Sequence, residues 1–306
     1  MPVELWIDDG NPWYLSPEIW VVPSDDPNDP PAMPFEGVSA YVWARVRNRG
    51  STAVSNATVR YYWADPSTLI TRATATLIGT SSASLAAGET KDVLCVTPWV
   101  PQFVNSGHEC LVAEAFAPAD PLPPSSPSDP IDVPGDRHVA QRNITVGKAA
   151  PLMMFVSPFV MGGGGGGRAE RPIAVRVRRA PLDTLKPLVK AIGLERLPEE
   201  APELAEVGVR PYRCGEQVDD VGRPELAVEL KPGERRGMAL ALRIPAKAPA
   251  GSGALFLVEQ LSGDDVVGGV GVVVLVEGKE SPPRRARSSR KKAETTGRRR
   301  TSTRRT

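Results

Sequence analysis

Between residues 38 and 66 the chain reads VSAYVWARVRNRGSTAVSNATVRYYWADP, and apolar and polar positions alternate in it twice. Val42, Ala44 and Val46 interleave with Trp43, Arg45 and Arg47; further on, Val59, Tyr61 and Trp63 interleave with Thr58, Arg60 and Tyr62. A period of two over six or more residues marks a strand with one face on a core and one on water. Asn48-Arg49-Gly50-Ser51 supplies turn chemistry between the two runs. The pattern therefore predicts a hairpin whose apolar face is covered by a second sheet, as in a β-sandwich. Tyr41, Trp43 and Tyr62 take the outward parity and are candidate contact residues, with part of the set expected under the N-terminal segment.

Residues 3–7 predict a first strand, followed by a proline-rich excursion to Glu36 that Trp13, Tyr14 and Trp20 should clamp to the body. Strands are predicted over 73–78, 90–96, 109–116 and 139–146, with 86–89 as a turn. The last two runs alternate imperfectly, as a bulge or burial on both faces would produce. Between them APADPLPPSSPSDPIDVPGD reads as a long surface loop. Seven strands over this length suit a Greek-key sandwich.

Residues 151–161 read as a strand entering a second unit, broken by Pro158 and followed by six glycines, Gly162 to Gly167. Residues 173–177 alternate again. One helical signal follows: Asp183 as N-cap, Leu185, Leu188, Val189 and Ile192 at helical spacing, Pro187 in the first turn and Gly193 as stop. Another helical turn is expected within 199–207. The β pattern returns over 225–230, 238–244, 254–261 and 266–276, the last two joined through Ser262-Gly263-Asp264-Asp265.

The succession VRNRG, TVRYYWADP, HECLVA and VAQRNITV, within residues 37–146, resembles the bacterial immunoglobulin-like sandwich modules related to cell adhesion, the CARDB-like group. The resemblance implies a non-catalytic module of a kind often repeated in secreted or surface proteins. In the second half, P-G-E, a strand, P-A-G and two long strands resemble other bacterial immunoglobulin-like modules. The fold class expected is all-β, with two immunoglobulin-like antiparallel β-sandwiches. They span residues 1–148 and 149–278, the second with a short helix near 183–193, and a disordered tail follows over 279–306.

Composition agrees with many short strands: 32 prolines and 28 glycines make up about a fifth of the 306 residues. The net charge of +1 hides an asymmetry, because the tail from Lys279 carries +10 and the rest of the chain −9. The tail is the strongest functional signal in the sequence. Arg284, Arg285, Arg287, Arg290, Lys291, Lys292, Arg298, Arg299, Arg300, Arg304 and Arg305 fall in three clusters with no aromatic between them. Cations on phosphates release counterions and bind without reading sequence, and base stacking has no side chain to use here. The expected partner is a polyanion (nucleic acid, an acidic polymer, anionic lipid or an acidic protein), with a solubilising tail as the alternative. Thr295, Thr296, Thr301, Ser302 and Thr303 lie among the arginines, where phosphorylation would cut the charge.

Catalytic chemistry finds little to use. Of the two histidines, His108 and His138, each sits beside a predicted strand, and no G-x-S-x-G occurs. Cys110 shares strand parity with His108 but no second base or acid is implied, so a core thiol is expected. Three cysteines, Cys95, Cys110 and Cys214, make no disulfide framework, although Cys95 and Cys110 on facing strands leave one bridge open. No short paired spacing supports zinc. Asp25, Asp26 and Asp29, and again Asp129, Asp132 and Asp136, read as turn acids rather than calcium ligands. The glycine run ends in Arg168 and lacks the Lys-Ser/Thr and helix of a phosphate loop. No cofactor is expected. Neither a signal peptide nor an apolar run long enough to span a membrane is visible, so synthesis in the cytoplasm is expected, with a leaderless route outward left open. Two readings remain: a non-enzymatic adhesion, scaffold or structural module making protein or glycan contacts, and a nucleic-acid-associated protein whose sandwiches only carry the tail. A third, a sandwich-fold hydrolase, requires a deep polar cleft with converging carboxylates.

Overall fold

The computed structural model describes residues 2–65, 68–102, 110–163, 172–201 and 206–277. They form an all-β protein. Eight strands build the first sandwich: β1 (Leu5–Trp6), β2 (Ile19–Val22), β3 (Tyr41–Asn48), β4 (Val54–Ala64), β5 (Thr76–Leu85), β6 (Thr90–Leu94), β7 (Cys110–Phe116) and β8 (Val139–Arg142). In one sheet β1 and β2 follow each other along one side of β3, with β6 on its other side. The facing sheet has the order β5-β4-β7-β8.

The predicted hairpin does not form. β3 and β4 lie in different sheets, so Asn48 to Ser51 carries the chain across the sandwich. The physical reason is that the two apolar rows, Val42, Ala44 and Val46 against Val59 and Tyr61, have to face each other to make the core. The turn at 86–89 likewise links β5 and β6 in opposite sheets. Asn48, 1% exposed, ties both crossings together. Its Nδ2 donates to the carbonyls of Thr52 (2.8 Å) and Ala86 (3.0 Å), and its Oδ1 accepts from the Gly50 amide (3.1 Å). The strand expected from residue 73 starts later, at Thr76, and runs on to Leu85.

The proline-rich segment after β7 is not a loop held away from the body. Ile131 and Val133 are buried with Tyr62, Ala64 and Val112 on the outer face of the β4–β7 pair. That cover explains why every residue of β7 up to Ala115 is buried: the strand has core on both faces, and no bulge interrupts its register with β4.

The strand predicted over 139–146 is two strands that serve different sheets. β8 pairs with β7, whereas β9 (Ile144–Ala149) runs parallel to a strand near the end of the chain. The second sandwich contains β10 (Met154–Gly162), β11 (Ile173–Ala180), β12 (Glu199–Glu200), β13 (Glu206–Pro211), β14 (Glu225–Val228), β15 (Arg235–Arg243), β16 (Ser252–Ser262) and β17 (Asp265–Val276). Its sheets are β10-β15-β13 and β14-β11-β16-β17-β9, with β12 beside β16. The pairings β9–β17 and β12–β16 are parallel, a departure from the wholly antiparallel sandwich expected. Pro158 is accommodated because β10 is an edge strand. A tight turn at Gly263 (φ +63°) joins β16 to β17.

Where a helix was expected over 183–193, a single 3-10 turn (Leu182–Leu185) forms and irregular turns follow. Pro187 has no amide to give the Asp183 carbonyl, which accepts from Lys186 instead (3.0 Å). Asp183 does not cap; its carboxylate meets Lys186 Nζ at 2.7 Å. The apolar spacing still does its work, since Leu182, Leu185, Leu188 and Ile192 are buried against Leu255, Leu257 and Val273. Of the helical turn expected within 199–207, residues 202–205 lie outside the described residues, and Glu199–Glu200 and Glu206–Pro211 are strands.

The two sandwiches meet without a linker, across a polar seam. Asn143, fully buried between β8 and β9, uses all its groups. Its amide donates to the Tyr14 carbonyl (2.9 Å), its carbonyl accepts from Gly271 (2.9 Å), Nδ2 donates to the Gly269 carbonyl (2.7 Å), and Oδ1 accepts from the Cys110 thiol (2.6 Å). Close by, Tyr14 Oη donates to Glu259 (3.1 Å), which also accepts from Arg176 (2.7 Å) and Arg178 (2.8 Å). Burial opposes ionisation of Glu259, but those arginines hold its pKa below the usual carboxylate range. β17 approaches so closely that a Cβ at Gly268 would stand 1.0 Å from the Thr68 carbonyl oxygen, and one at Gly269 would stand 2.4 Å from the Tyr14 ring. Replacing Asn143 by Ala strands the Gly269 carbonyl and is expected to lower unfolding free energy by about 2–3 kcal/mol, measured by urea titration. A loss under about 0.5 kcal/mol, the usual range of a surface substitution, shows that the seam does not depend on this residue.

Candidate contact face and the buried ion cluster

The outward row of β3 continues across its neighbours as one aromatic and cationic surface. Trp20 on β2 lies directly opposite Trp43 on β3. Their rings are parallel, 4° apart in plane, with centroids 6.0 Å apart. Trp43 Nε1 donates to the Pro27 carbonyl (3.1 Å), which is where the N-terminal excursion touches this face. The Arg45 guanidinium stands 5.5 Å from the Trp20 centroid and grips Asp92 of β6 through two bonds, 2.6 and 3.1 Å. Arg47 is paired with Glu18. At the far end Arg49 lies 3.9 Å above the Trp6 ring. Burial raises the Glu18 pKa despite the adjoining Arg47 and Arg45.

Of the residues expected on this surface, Tyr41 and Trp43 are half-buried, pointing outward from β3. Tyr62 is not outward: it is 8% exposed, its hydroxyl donates to Glu114 (3.2 Å), and the proline-rich segment covers it. Trp6, Trp20, Arg45, Arg47 and Arg49 complete the face and were not among the contact residues expected from sequence, where Trp20 was expected as a clamp. Arg45, Arg47 and Arg49 share strand parity with Trp43, so that signal was present. The pairing of Trp20 with Trp43 was not, because it depends on which strand adds beside β3. Planar cations stacked on indole faces offer flat apolar area together with fixed donor forks, which suits sugar rings, aromatic side chains and carboxylates alike.

His138 sits in a buried ion cluster. It is 2% exposed, its Nδ1 lies 2.6 Å from Asp136 Oδ1, and its Nε2 lies 3.2 Å from Asp120 Oδ2. Asp120 also pairs with Arg137 (2.5 Å) and accepts the Leu5 amide (2.6 Å), so the cluster holds β1, the proline-rich segment and β8 together. Burial works against the charged imidazole, but the hydrogen bond and charge of Asp136 outweigh it and raise the His138 pKa. Asp136 is held low, burial being outweighed by its bonds from His138.

Cys95, Cys110 and Cys214 are free thiols, the first two buried. Asp26 accepts from the Asn28 amide (2.9 Å) and Asp129 from Ser126 (2.8 Å), which are turn roles. Among the described residues no three His, Cys, Asp or Glu are grouped to hold a metal ion. Open depressions among the described residues include one of about 240 Å³ beside Asp65, Phe159, Tyr212 and Arg235 and one of about 500 Å³ beside Lys148, Leu194, Pro198 and Glu277. Asp65 is paired with Arg235 at 3.0 Å. Among the described residues no helix is long and apolar enough to cross a membrane. His108, Gly164 to Arg168 and the basic residues from Arg284 to Arg305 lie outside the described residues.

No protein-family model matches the chain, and no curated protein matches it. Among solved structures it is similar to a CARDB domain from Pyrococcus furiosus determined with di-metal ions, at 16% identity, over 46% of this chain and 85% of that one, with a TM-score of 0.26. It is similar also to the CupB6 tip adhesin of Pseudomonas aeruginosa, at 12% identity over 90% and 98% of the two chains, TM-score 0.24. A red sea bream transglutaminase matches at 14% identity over 81% of this chain and 30% of that one, TM-score 0.20.

His138 gives a pH prediction. A raised folded pKa means that its stabilisation is full below the unfolded value, near 6.5, and fades as pH rises through the folded value. The Asp136 contribution fades on the other side, as pH falls below about 4. The stability gap between the native chain and His138→Gln is therefore expected to be wide at pH 5.5 and to narrow by pH 9, read from denaturant midpoints. A gap independent of pH removes the imidazolium from the cluster.

Proposed function

We propose that the protein is a non-enzymatic adhesion or scaffold module that makes protein or glycan contacts through the outward face of β3 and its neighbours. The observation that carries this reading is the Trp20–Trp43 stack flanked by Arg45, Arg47 and the Arg49–Trp6 pair. Tyr41 extends the same row. The basic residues from Arg284 to Arg305 serve as a second, salt-sensitive contact with a polyanion, on the ground of their charge alone. A nucleic-acid-associated protein resting on an inert platform is the competing reading.

Pull-down with a chain ending at Gly278, beside the full chain and washed at low and high salt, separates the two. A specific partner retained by the shortened chain at high salt, and lost on Trp43→Ala together with Arg49→Ala, supports the contact face. Anchors of this kind typically cost on the order of 2 kcal/mol when truncated, about thirtyfold in affinity. Binding that depends wholly on the tail and washes off with salt overturns the reading in favour of the competing one.

A further inference from the structure

A sheet edge exposes unpaired backbone groups, and proteins blunt it with short strands, charges, prolines, bulges or covering segments. Among the described residues the edges follow that rule with one exception. β1, β2, β8, β12 and β14 are four residues or shorter. β6 carries Lys91 and Asp92, β9 carries Lys148, and β13 carries Arg210 and Pro211. β10 contains Pro158, and the Thr68 amide covers its Val160 carbonyl. β5 is different. It has ten residues, TLIGTSSASL, with no charge and no proline, and among the described residues only β4 pairs with it. Its register with β4 shifts twice, at Ile78 near its start and opposite Ser84, where β4 carries an extra residue, and residues 79–83 pair without a break between the two.

The direction of the free edge follows from one contact. The Ser84 carbonyl accepts from Lys91 Nζ at 3.3 Å, so it points away from β4. By the period of two, the amides and carbonyls of Ser82 and Thr80 point the same way. We propose that this edge pairs antiparallel with β5 of a second copy of the chain, about a twofold axis at Ser82. The sequence is self-complementary in that register. Ser82 meets its own counterpart, Thr80 meets Ser84, and the exposed face becomes a row of hydroxyls, a pairing that stabilises antiparallel strands. A partner peptide bearing charge gains no ion pair from this strand, whereas a second β5 brings no unmatched charge with it. Joining the edges makes one eight-stranded sheet from two four-stranded ones.

Sedimentation velocity of the full chain, from about 1 to 200 µM, tests the proposal over the range expected for a small interface. The native chain is expected to shift from monomer to dimer across that range. Thr80→Lys with Ser84→Lys places like charges across the axis, and Ser82→Pro removes an edge amide; each is expected to weaken association at least about tenfold. Asn56→Lys, on the neighbouring strand, leaves association unchanged, and Lys91→Ser strengthens it by removing a cation that occupies the Ser84 carbonyl. Far-UV circular dichroism confirms folding, and the double lysine variant decides the matter where the proline variant fails to fold. A native chain that stays monomeric at the highest concentration, or edge variants that associate as the native chain does, overturns the proposal.

Discussion

The structure depends on a change of sheet at a single buried asparagine. The run from Val139 to Ala149 is one extended stretch of chain, yet its first part completes one sandwich and its second part completes the other. A break in a ladder inside a protein leaves amide and carbonyl groups that water cannot reach, each costly if unpaired. Asn143 meets that demand by bonding to the Tyr14 carbonyl, the Gly271 amide, the Gly269 carbonyl and the Cys110 thiol. The glycines at 268, 269 and 271 are the complementary requirement, because each faces a neighbour that a side chain would displace. Arg142, one residue earlier, is wholly buried with neutral acceptors, the carbonyls of Ile19 and Ala191, and burial lowers its pKa to about 10. A buried cation without a counter-ion is costly, so these acceptors from both halves of the chain, with the Met33 sulfur beside them, are what make its position tolerable.

Two outer sheet faces are covered with apolar residues from the chain's own segments. The proline-rich segment shields β4 and β7 with Ile131 and Val133, and residues 182–192 with Tyr14 and Leu15 shield β16 and β17. Buried acids in these layers are matched by arginine: Glu114 by Arg72, Glu259 by Arg176 and Arg178, Glu18 by Arg47. The outer face of the first sheet is treated differently, with indoles left half exposed and arginines stacked beside them.

Period two was legible wherever one face of a strand meets water. The inward parity of Val42, Ala44 and Val46 and the outward parity of Trp43 were read directly. Pairing was not legible, because alternation states which face is buried and not which neighbour lies beside it. The same alternation in β3 and β4 therefore fits a hairpin and a crossing equally, and tertiary packing selects the crossing. Tyr62 failed for a related reason: its parity is outward from the sandwich core, but a segment more than sixty residues later in sequence covers that side. The helical signal gave the right buried leucines and the wrong backbone, since spacing of three or four residues is satisfied by successive turns as well as by a helix once Pro187 removes a bond.

Among the described residues, the buried titratable side chains and the exposed cations of the outer sheet face are placed in opposite ways. Buried titratable side chains such as His138 with Asp136, Glu259 with its arginines and Glu114 with Arg72 are paired within the fold, while His138 Nε2 lies near Asp120 without a hydrogen bond. The opposite holds on the outer face of β3, where Arg49 has its guanidinium over Trp6 and is exposed to solvent. Pre-stacked on the ring, it loses little conformational freedom when a partner arrives, which is the condition under which a surface cation contributes to binding rather than only to solubility.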